Sequence, residues 1–147
     1  MVLSNYIVSM LLFVYGSLRK GFPNHYLVED SPYIGEFTTV EKYLMVGTKS
    51  KSFPYILYEK YAIADQATKI IGEVYDISED TLKKIDQLEG HPDTYLRLRV
   101  CITNGNDFIF SSIYILENID IIEEIYKNIG DRFGIVVSGD WKKYCLG

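Results

Sequence analysis

Cysteine and histidine are scarce in this chain of 147 residues, which has two of each. Cys101 and Cys145 lie far apart in the sequence and match neither a zinc-binding spacing nor a CxxC motif. The sequence therefore predicts no bound metal ion, no metal-dependent catalysis and no disulfide framework, and it favours reduced thiols.

Basic residues are outnumbered, since fifteen Lys and Arg accompany twenty Asp and Glu and the formal net charge is −5. An acidic surface repels the phosphate backbone of DNA or RNA. Nucleic acid is therefore not expected to be a partner of this protein.

The apolar run near the N-terminus, residues 6–14, is far shorter than the roughly 20 residues that a membrane-spanning helix needs. It has neither the basic start nor the small-residue cleavage site of a signal peptide. A length of 147 residues is usual for one domain and suffices for a core of its own. We expect a single domain over residues 1–147, located in the cytoplasm and without a membrane anchor.

Aromatic residues are plentiful, at 14% of the chain with thirteen tyrosines, and they suit strands and pocket walls. Ser78 is a predicted N-cap for a helix that ends near Gly90, and Asn118 begins a second helix that Gly130 closes. The turn 104–107 joins two strands into a hairpin, and residues 135–144 are predicted to begin as a short strand and end as a tail. Strands are predicted in the run that ends at residue 14 and at 33–46, 53–58, 70–77, 95–103 and 108–116.

This order of elements predicts the fold class. Strands outnumber helices, and the clear hairpin favours antiparallel pairing. We predict a mainly antiparallel α+β domain whose small sheet is closed or half-closed like a barrel.

The first predicted strand stops at Gly16, after which the chain becomes polar and basic. Gly16 has no Cβ, so its backbone can approach a ligand closely. The N–H groups of Ser17 and Leu18 follow just past the strand end and could hold a carboxylate. A plain exit from a strand explains the same residues.

Glu89 is predicted at the C-terminal end of a helix, where the helix dipole favours cations rather than acids. It is either simply solvated, or its pKa is raised by partial burial and by the helix end toward the range of a general base. Glu73 is the competing carboxylate, but alternation in its strand predicts an exposed side chain. His25 and His91 each lie close to a proline in a loop, where turn or surface roles are commoner.

Several separated motifs resemble the gamma-glutamylcyclotransferase-like (AIG2-like) family, and in particular its gamma-glutamylaminecyclotransferase branch. They occur in the family's order from residue 13 to residue 141. They are residues 13–21 (FVYGSLRKG) with Pro23-Asn24-His25, residues 72–75 (GEVY), Leu88-Glu89 with Pro92, Tyr95 and Arg97, and residues 138–141 (SGDW).

The resemblance implies a small α/β barrel-like fold, no cofactor, and conversion of a small-molecule gamma-glutamyl amine to 5-oxoproline and a free amine. It implies that Tyr15, Gly16, Ser17 and Leu18 hold the glutamyl group and that Glu89 is the catalytic acid and base. The basic residues after the loop suggest gamma-glutamyl-epsilon-lysine as a substrate, with other gamma-glutamyl amino acids left open. The alternative is a catalytically silent relative that binds a gamma-glutamyl or amino-acid ligand.

The resemblance also covers Asp140 and Trp141 near the end of the chain. We expect both to be structural, with Trp141 covering one end of the core and Asp140 bonding to nearby backbone.

Overall fold

A computed structural model describes residues 10–147, so the first part of the apolar run 6–14 lies outside the described residues. Within them the strands are β1 Met10–Val14, β2 Tyr33–Thr48, β3 Pro54–Tyr58, β4 Thr68–Ile77, β5 Tyr95–Thr103, β6 Phe108–Leu116 and β7 Phe133–Ile135. The helices are α1 Glu79–Glu89, α2 Ile119–Lys127 and α3 Trp141–Leu146, and short 3-10 turns cover His25–Leu27 and Glu59–Tyr61.

Five of the strands close into a barrel in the order β2, β4, β1, β6, β5. The ring closes where β5 returns to β2 and Thr103 pairs with Thr38. The pairing of β1 with β6 is parallel, and the other pairings in the ring are antiparallel. The predicted class, a mainly antiparallel α+β domain with a barrel-like sheet, is confirmed.

The long strand β2 extends beyond the barrel. Its C-terminal half pairs with β3 on one edge and β7 on the other. Register shifts near Gly35 and after Thr38 bend β2, so one continuous strand serves both the barrel and this outer layer.

Two apolar clusters lie on the two faces of the strands. One receives a side chain from every barrel strand and fills the barrel: Phe13, Phe37, Val74, Ile102 and Ile113. The other lies between the sheet and the helices, where Ile85 of α1 and Ile122 and Ile125 of α2 are buried. The helices therefore cover the outside of the barrel.

Both predicted helices are present and begin after the expected residues, although α2 ends at its C-cap Asn128 and not at Gly130 as predicted. Ser78 accepts a hydrogen bond from the N–H of Thr81, and Asn118 accepts one from the N–H of Ile121. The residues 10–147 include no helix that is long and apolar enough to cross a membrane.

The prediction for the end of the chain was partly wrong. The last strand ends at Ile135 instead of beginning there, and the predicted tail is the helix α3. Asp140 caps this helix by accepting a hydrogen bond from the N–H of Lys143 at 3.3 Å, and Trp141 is fully buried. The structural roles expected for Asp140 and Trp141 agree with these contacts.

Candidate active site

A cavity of about 410 Å³ opens where the loop after β1 meets the start of β3, the end of α1 and the start of β5. It is lined by all five residues that the sequence singled out: Tyr15, Gly16, Ser17, Leu18 and Glu89. The volume lies in the range of small-molecule sites.

The carbonyl and N–H groups of the loop after β1 differ in their hydrogen bonding within the described residues. The carbonyl oxygen of Gly16 accepts from the N–H of Arg19 at 3.0 Å, and that of Ser17 accepts from the N–H of Asn24 at 2.9 Å. No acceptor among residues 10–147 meets the N–H groups of Gly16, Ser17 or Leu18. Successive free N–H groups at a cavity wall form an anion-binding backbone segment.

Gly16 is required by a close approach of two chain segments. A Cβ at this position would lie 2.7 Å from Cδ of Pro54, the first residue of β3. Any larger residue would push the loop and β3 apart, so Gly16 fixes the width of the cavity at this wall.

Arg19 anchors the loop from the side away from the cavity. Its side chain is 2% exposed and bonds Glu73 of β4 at 3.1 Å through Nε and Asp140 at 2.9 Å through Nη1. Glu73 also accepts from the N–H of Lys20 at 3.0 Å and from the hydroxyl of Tyr75 at 2.8 Å. The loop is therefore fastened to the barrel and to the N-terminus of α3.

The prediction that Glu73 is exposed was wrong, because its side chain is buried against Arg19. Burial alone raises the pKa of Glu73, but the hydrogen bonds from Lys20, Tyr75 and Arg19 outweigh it and leave the pKa below its usual value. Glu73 is thus a fixed anion in a structural network. It does not line the cavity.

Glu89 is the last residue of α1, and the chain leaves the helix through Gly90 at φ 67°. The end of α1 is held by Asp86, which bonds Arg97 of β5 at 2.8 and 3.1 Å and the hydroxyl of Tyr114 of β6 at 2.6 Å. These contacts fix the position from which Glu89 faces the cavity.

The carboxyl group of Glu89 is half-buried at the wall of the cavity. Burial raises the pKa of Glu89 to about 7. Among residues 10–147 no group forms a hydrogen bond or an ion pair with this carboxyl group, and desolvation is the one cause of the shift. A carboxyl group with this pKa can accept and return a proton near neutral pH.

Three tyrosines, Tyr15, Tyr95 and Tyr114, line the cavity together with Glu89, and of these Tyr15 alone was predicted as a site residue. Tyr15 donates from its hydroxyl to the carbonyl oxygen of Tyr114 at 2.7 Å. Burial, with the nearby charge of Glu89, raises the pKa of Tyr15 well above its usual value, and burial with Tyr15 and Glu89 does the same for Tyr95. Burial and the hydrogen bond to Asp86 likewise raise the pKa of Tyr114, so all three hydroxyl groups stay protonated near neutral pH.

Tyr114 could have been located from the hairpin. The turn 104–107 sets the register in which Thr103 faces Phe108, and the same register places Tyr114 opposite Arg97. Nothing in the local sequence marks Phe53 or Tyr55, which reach the cavity only because β3 pairs with the outer half of β2.

The two histidines do not line the cavity. His25 contacts the carbonyl oxygen of Leu18 through Nδ1 at 3.0 Å, and His91 accepts from the N–H of Arg97 at 3.0 Å. Among residues 10–147 there is no group of three or more His, Cys, Asp or Glu side chains placed to hold a metal ion.

Known proteins resemble the chain in sequence and in structure. The sequence model of the family described as gamma-glutamyl cyclotransferase, AIG2-like, matches residues 12–143. A protein of Methanocaldococcus jannaschii provisionally named gamma-glutamylcyclotransferase is 42% identical over 136 residues, which cover 90% of this chain and 96% of that protein. Gamma-glutamylaminecyclotransferase B of Danio rerio is 34% identical over 103 residues, or 65% of this chain and 52% of the relative.

A solved structure gives the same result for the fold. The crystal structure of an AIG2-like protein from Mus musculus superimposes with a TM-score of 0.62 at 26% identity, covering 73% of this chain and 76% of that one.

Proposed function

The chain belongs to the gamma-glutamyl cyclotransferase, AIG2-like family, and from this premise we propose that it is a gamma-glutamylamine cyclotransferase. In this reaction the α-amine of a gamma-glutamyl amide attacks its own γ-carbonyl carbon. The products are 5-oxoproline and the free amine. The substrates of this class include gamma-glutamyl-epsilon-lysine and gamma-glutamyl amino acids.

The observation that carries the proposal is the position of Glu89 in one cavity with the free N–H groups of Gly16, Ser17 and Leu18. The reaction needs a base beside the α-amine and donors for a negatively charged oxygen. Glu89 can serve as the base and the loop N–H groups as the donors, so the reaction needs no further group.

Glu89 takes the proton from the α-amine as the new C–N bond forms. The resulting tetrahedral intermediate carries its negative charge on the former carbonyl oxygen. When the bond to the departing nitrogen breaks, Glu89 returns the same proton to that nitrogen. Protons and electrons balance, and no water or cofactor is consumed.

Gly16, Ser17 and Leu18 hold the glutamyl group through their N–H groups, which bind either its α-carboxylate or the oxygen that becomes negative. Tyr15 lines the same wall. Because amine and carbonyl belong to one molecule, the protein has only to hold the ring-forming conformer, and such orientation contributes up to roughly 7–11 kcal/mol in favourable intramolecular reactions.

The test is to incubate the purified protein with a panel of gamma-glutamyl compounds and to follow 5-oxoproline. Release of 5-oxoproline with an equal amount of amine is the expected result. If the compounds bind, as measured by calorimetry, and none is turned over, the protein is the silent relative instead.

A further inference from the structure

We propose that Tyr95 is a second catalytic residue beside Glu89, and that its hydroxyl group donates a hydrogen bond to the substrate oxygen that becomes negative. The inference rests on the proposed function, because it assigns a donor within that reaction. It also gives the loop after β1 a single role, which is to bind the α-carboxylate of the substrate.

Tyr95 is the first residue of β5 and is brought close to Glu89 by a short closed loop. The N–H of Thr94 donates to the carbonyl oxygen of Gly90 at 2.8 Å, and the carbonyl oxygen of Thr94 accepts from the N–H of Glu117 at 3.1 Å. Glu89 directly precedes Gly90 and Tyr95 directly follows Thr94. The two side chains therefore start from neighbouring points of the backbone and line the same cavity.

The hydroxyl group of Tyr95 has no hydrogen-bonding partner among residues 10–147, although the residue is only 9% exposed. Buried hydroxyl groups in proteins are nearly always hydrogen-bonded. Within the described chain, Nε1 of Trp141 is the one fully enclosed side-chain nitrogen or oxygen without a partner, so the hydroxyl oxygen of Tyr95 is not sealed in the core. It opens into the cavity, where a bound substrate can accept its hydrogen bond.

The other tyrosine hydroxyl groups at the cavity are engaged or lie farther from Glu89. Tyr15 donates to the carbonyl oxygen of Tyr114, and Tyr114 donates to a carboxylate of α1. Tyr55 is half-buried, and the charge of Glu89 contributes to the raised pKa of Tyr95 but not to that of Tyr55. Tyr95 is therefore the hydroxyl donor that stands beside the base.

The ring of Tyr95 is held in place from two sides. Tyr55 stacks on it at 6.1 Å between centroids with an interplanar angle of 14°, and the pairing of β5 with β6 places Tyr95 opposite Leu116. A donor that is fixed in advance needs no rearrangement when charge develops in the transition state.

The negative charge develops on the γ-carbonyl oxygen, which is bonded to the carbon that the α-amine attacks. Glu89 must reach that amine, so a donor for the oxygen has to come from a residue next to Glu89. As the new C–N bond forms, the π electron pair of the carbonyl moves onto this oxygen, and Tyr95 donates to it without transferring its own proton. When the bond to the departing nitrogen breaks, the pair returns and forms the carbonyl group of 5-oxoproline.

The N–H groups of Gly16, Ser17 and Leu18 then bind the α-carboxylate. Successive N–H groups suit a group with two anionic oxygens, whereas one hydroxyl group suits a single oxygen. The α-carboxylate is charged throughout the reaction, so the loop binds substrate and transition state equally. Tyr95 acts mainly in the transition state, and such an interaction raises kcat.

Tyr95→Phe tests this role, because it removes the hydroxyl group and keeps the ring. With a gamma-glutamyl amide that the parent protein converts to 5-oxoproline, kcat should fall about 10²–10³-fold, as it does when one oxyanion donor is lost. KM should stay close to the parental value. Tyr43→Phe is the matched control: Tyr43 is equally buried but lies outside the cavity, so both constants should be unchanged.

Two further measurements distinguish a donor from a structural residue. Urea denaturation should find Tyr95→Phe as stable as the parent, because no group among residues 10–147 loses a partner. The acid limb of the pH profile of kcat/KM should keep its midpoint, since desolvation and not Tyr95 raises the pKa of Glu89. A shifted midpoint, a large loss of stability, or a raised KM at parental kcat would each overturn the assignment of Tyr95 as the donor.

The parent protein separates this inference from the proposed function. If the parent releases no 5-oxoproline from any gamma-glutamyl compound, the proposed function fails and the role of Tyr95 fails with it. If the parent is active and Tyr95→Phe has the same kcat, the proposed function stands and Tyr95 is not the donor.

Discussion

Glu89 is a half-buried carboxyl group whose pKa is raised by desolvation, and no donor among residues 10–147 stabilises its charge. A structural acid has the opposite environment, as Glu73 shows with its three hydrogen-bond donors. The contrast separates the two carboxylates by role: Glu73 is ionised and fixed, whereas Glu89 can change its protonation state near neutral pH.

Glu89→Gln should therefore remove turnover while the fold survives. Glutamine keeps the size of the side chain, but it can neither take the proton of the α-amine nor return it to the departing nitrogen. Loss of a general acid and base costs about 10²–10⁴-fold in rate, and one group serves both steps here, so we expect the upper end. The measurement is the rate of 5-oxoproline release.

Glu123→Gln is the matched control for this prediction. Glu123 is an exposed carboxylate on α2, outside the cavity. Its variant should keep parental turnover. Near-parental turnover in Glu89→Gln would assign the proton transfer to another residue.

The raised pKa of Glu89 also predicts how the rate depends on pH. The base must be ionised to accept a proton, so kcat/KM should fall about ten-fold per pH unit below the pKa of about 7. The acid limb of a pH profile of kcat/KM measures this value for the free protein. An acid limb with a midpoint below pH 5 would show that Glu89 is solvated and ionised in the usual way.

At the scale of elements, the loop after β1 depends on a buried ion network for its position. Arg19 lies between Glu73 of β4 and Asp140 at the start of α3. An isolated buried charge is costly, so removing one partner of such a pair destabilises the fold strongly. The network thus links the loop after β1 to β4 and to the start of α3, which are both distant from it in the sequence.

Glu73→Gln should lower the free energy of unfolding by about 2–4 kcal/mol, because Arg19 then keeps Asp140 as its one charged partner. Urea denaturation measures the change. Glu36→Gln is the control. Glu36 of β2 lies opposite Glu73 of β4 in the strand register, but its side chain is exposed. Its substitution should change the free energy of unfolding by less than about 0.5 kcal/mol. Equal effects of the two substitutions would contradict a buried network.

The sequence predicted the elements whose signals are local. Helix α1 is capped by Ser78, buries Ile85 and ends at Gly90, and each of these signals lies within a few residues of its effect. The four motifs then identified the family, and the residues they marked, Glu89 and the loop from Tyr15 to Leu18, line one cavity.

Features that depend on distant pairing were not predictable. The alternating pattern of apolar and polar residues predicted that Glu73 is exposed. That prediction assumes that one face of the strand is in contact with water. Residues 72–75 of β4 are all buried, since the barrel core lies on one side and the binding loop on the other. The spacing of Leu88 with Leu82 and Ile85 predicted that it faces the core, but its side chain is 47% exposed because α1 extends past the apolar layer to the cavity.

At the scale of the whole molecule, Glu89 should reduce the stability of the folded protein. Its pKa is about 7 in the folded protein and near the ordinary value of 4.5 in the unfolded chain. Between these two values the folded state binds more protons than the unfolded state. Stability therefore falls as the pH rises from about 4.5 through about 7, and the ionised carboxylate is a net cost above that range.

Replacing Glu89 by glutamine should remove this cost. At pH 5 both side chains are neutral in the folded state, so parent and Glu89→Gln should unfold at similar urea concentrations. At pH 8 the variant should be more stable by about 1–3 kcal/mol, while Glu123→Gln tracks the parent at both values. The difference should stop growing near the midpoint of the acid limb of kcat/KM, because stability no longer changes once Glu89 is ionised in the folded state as well. Parallel stability curves for parent and Glu89→Gln from pH 5 to pH 8 would mean that the carboxylate is not desolvated, and the assignment of Glu89 as the base would lose its physical support.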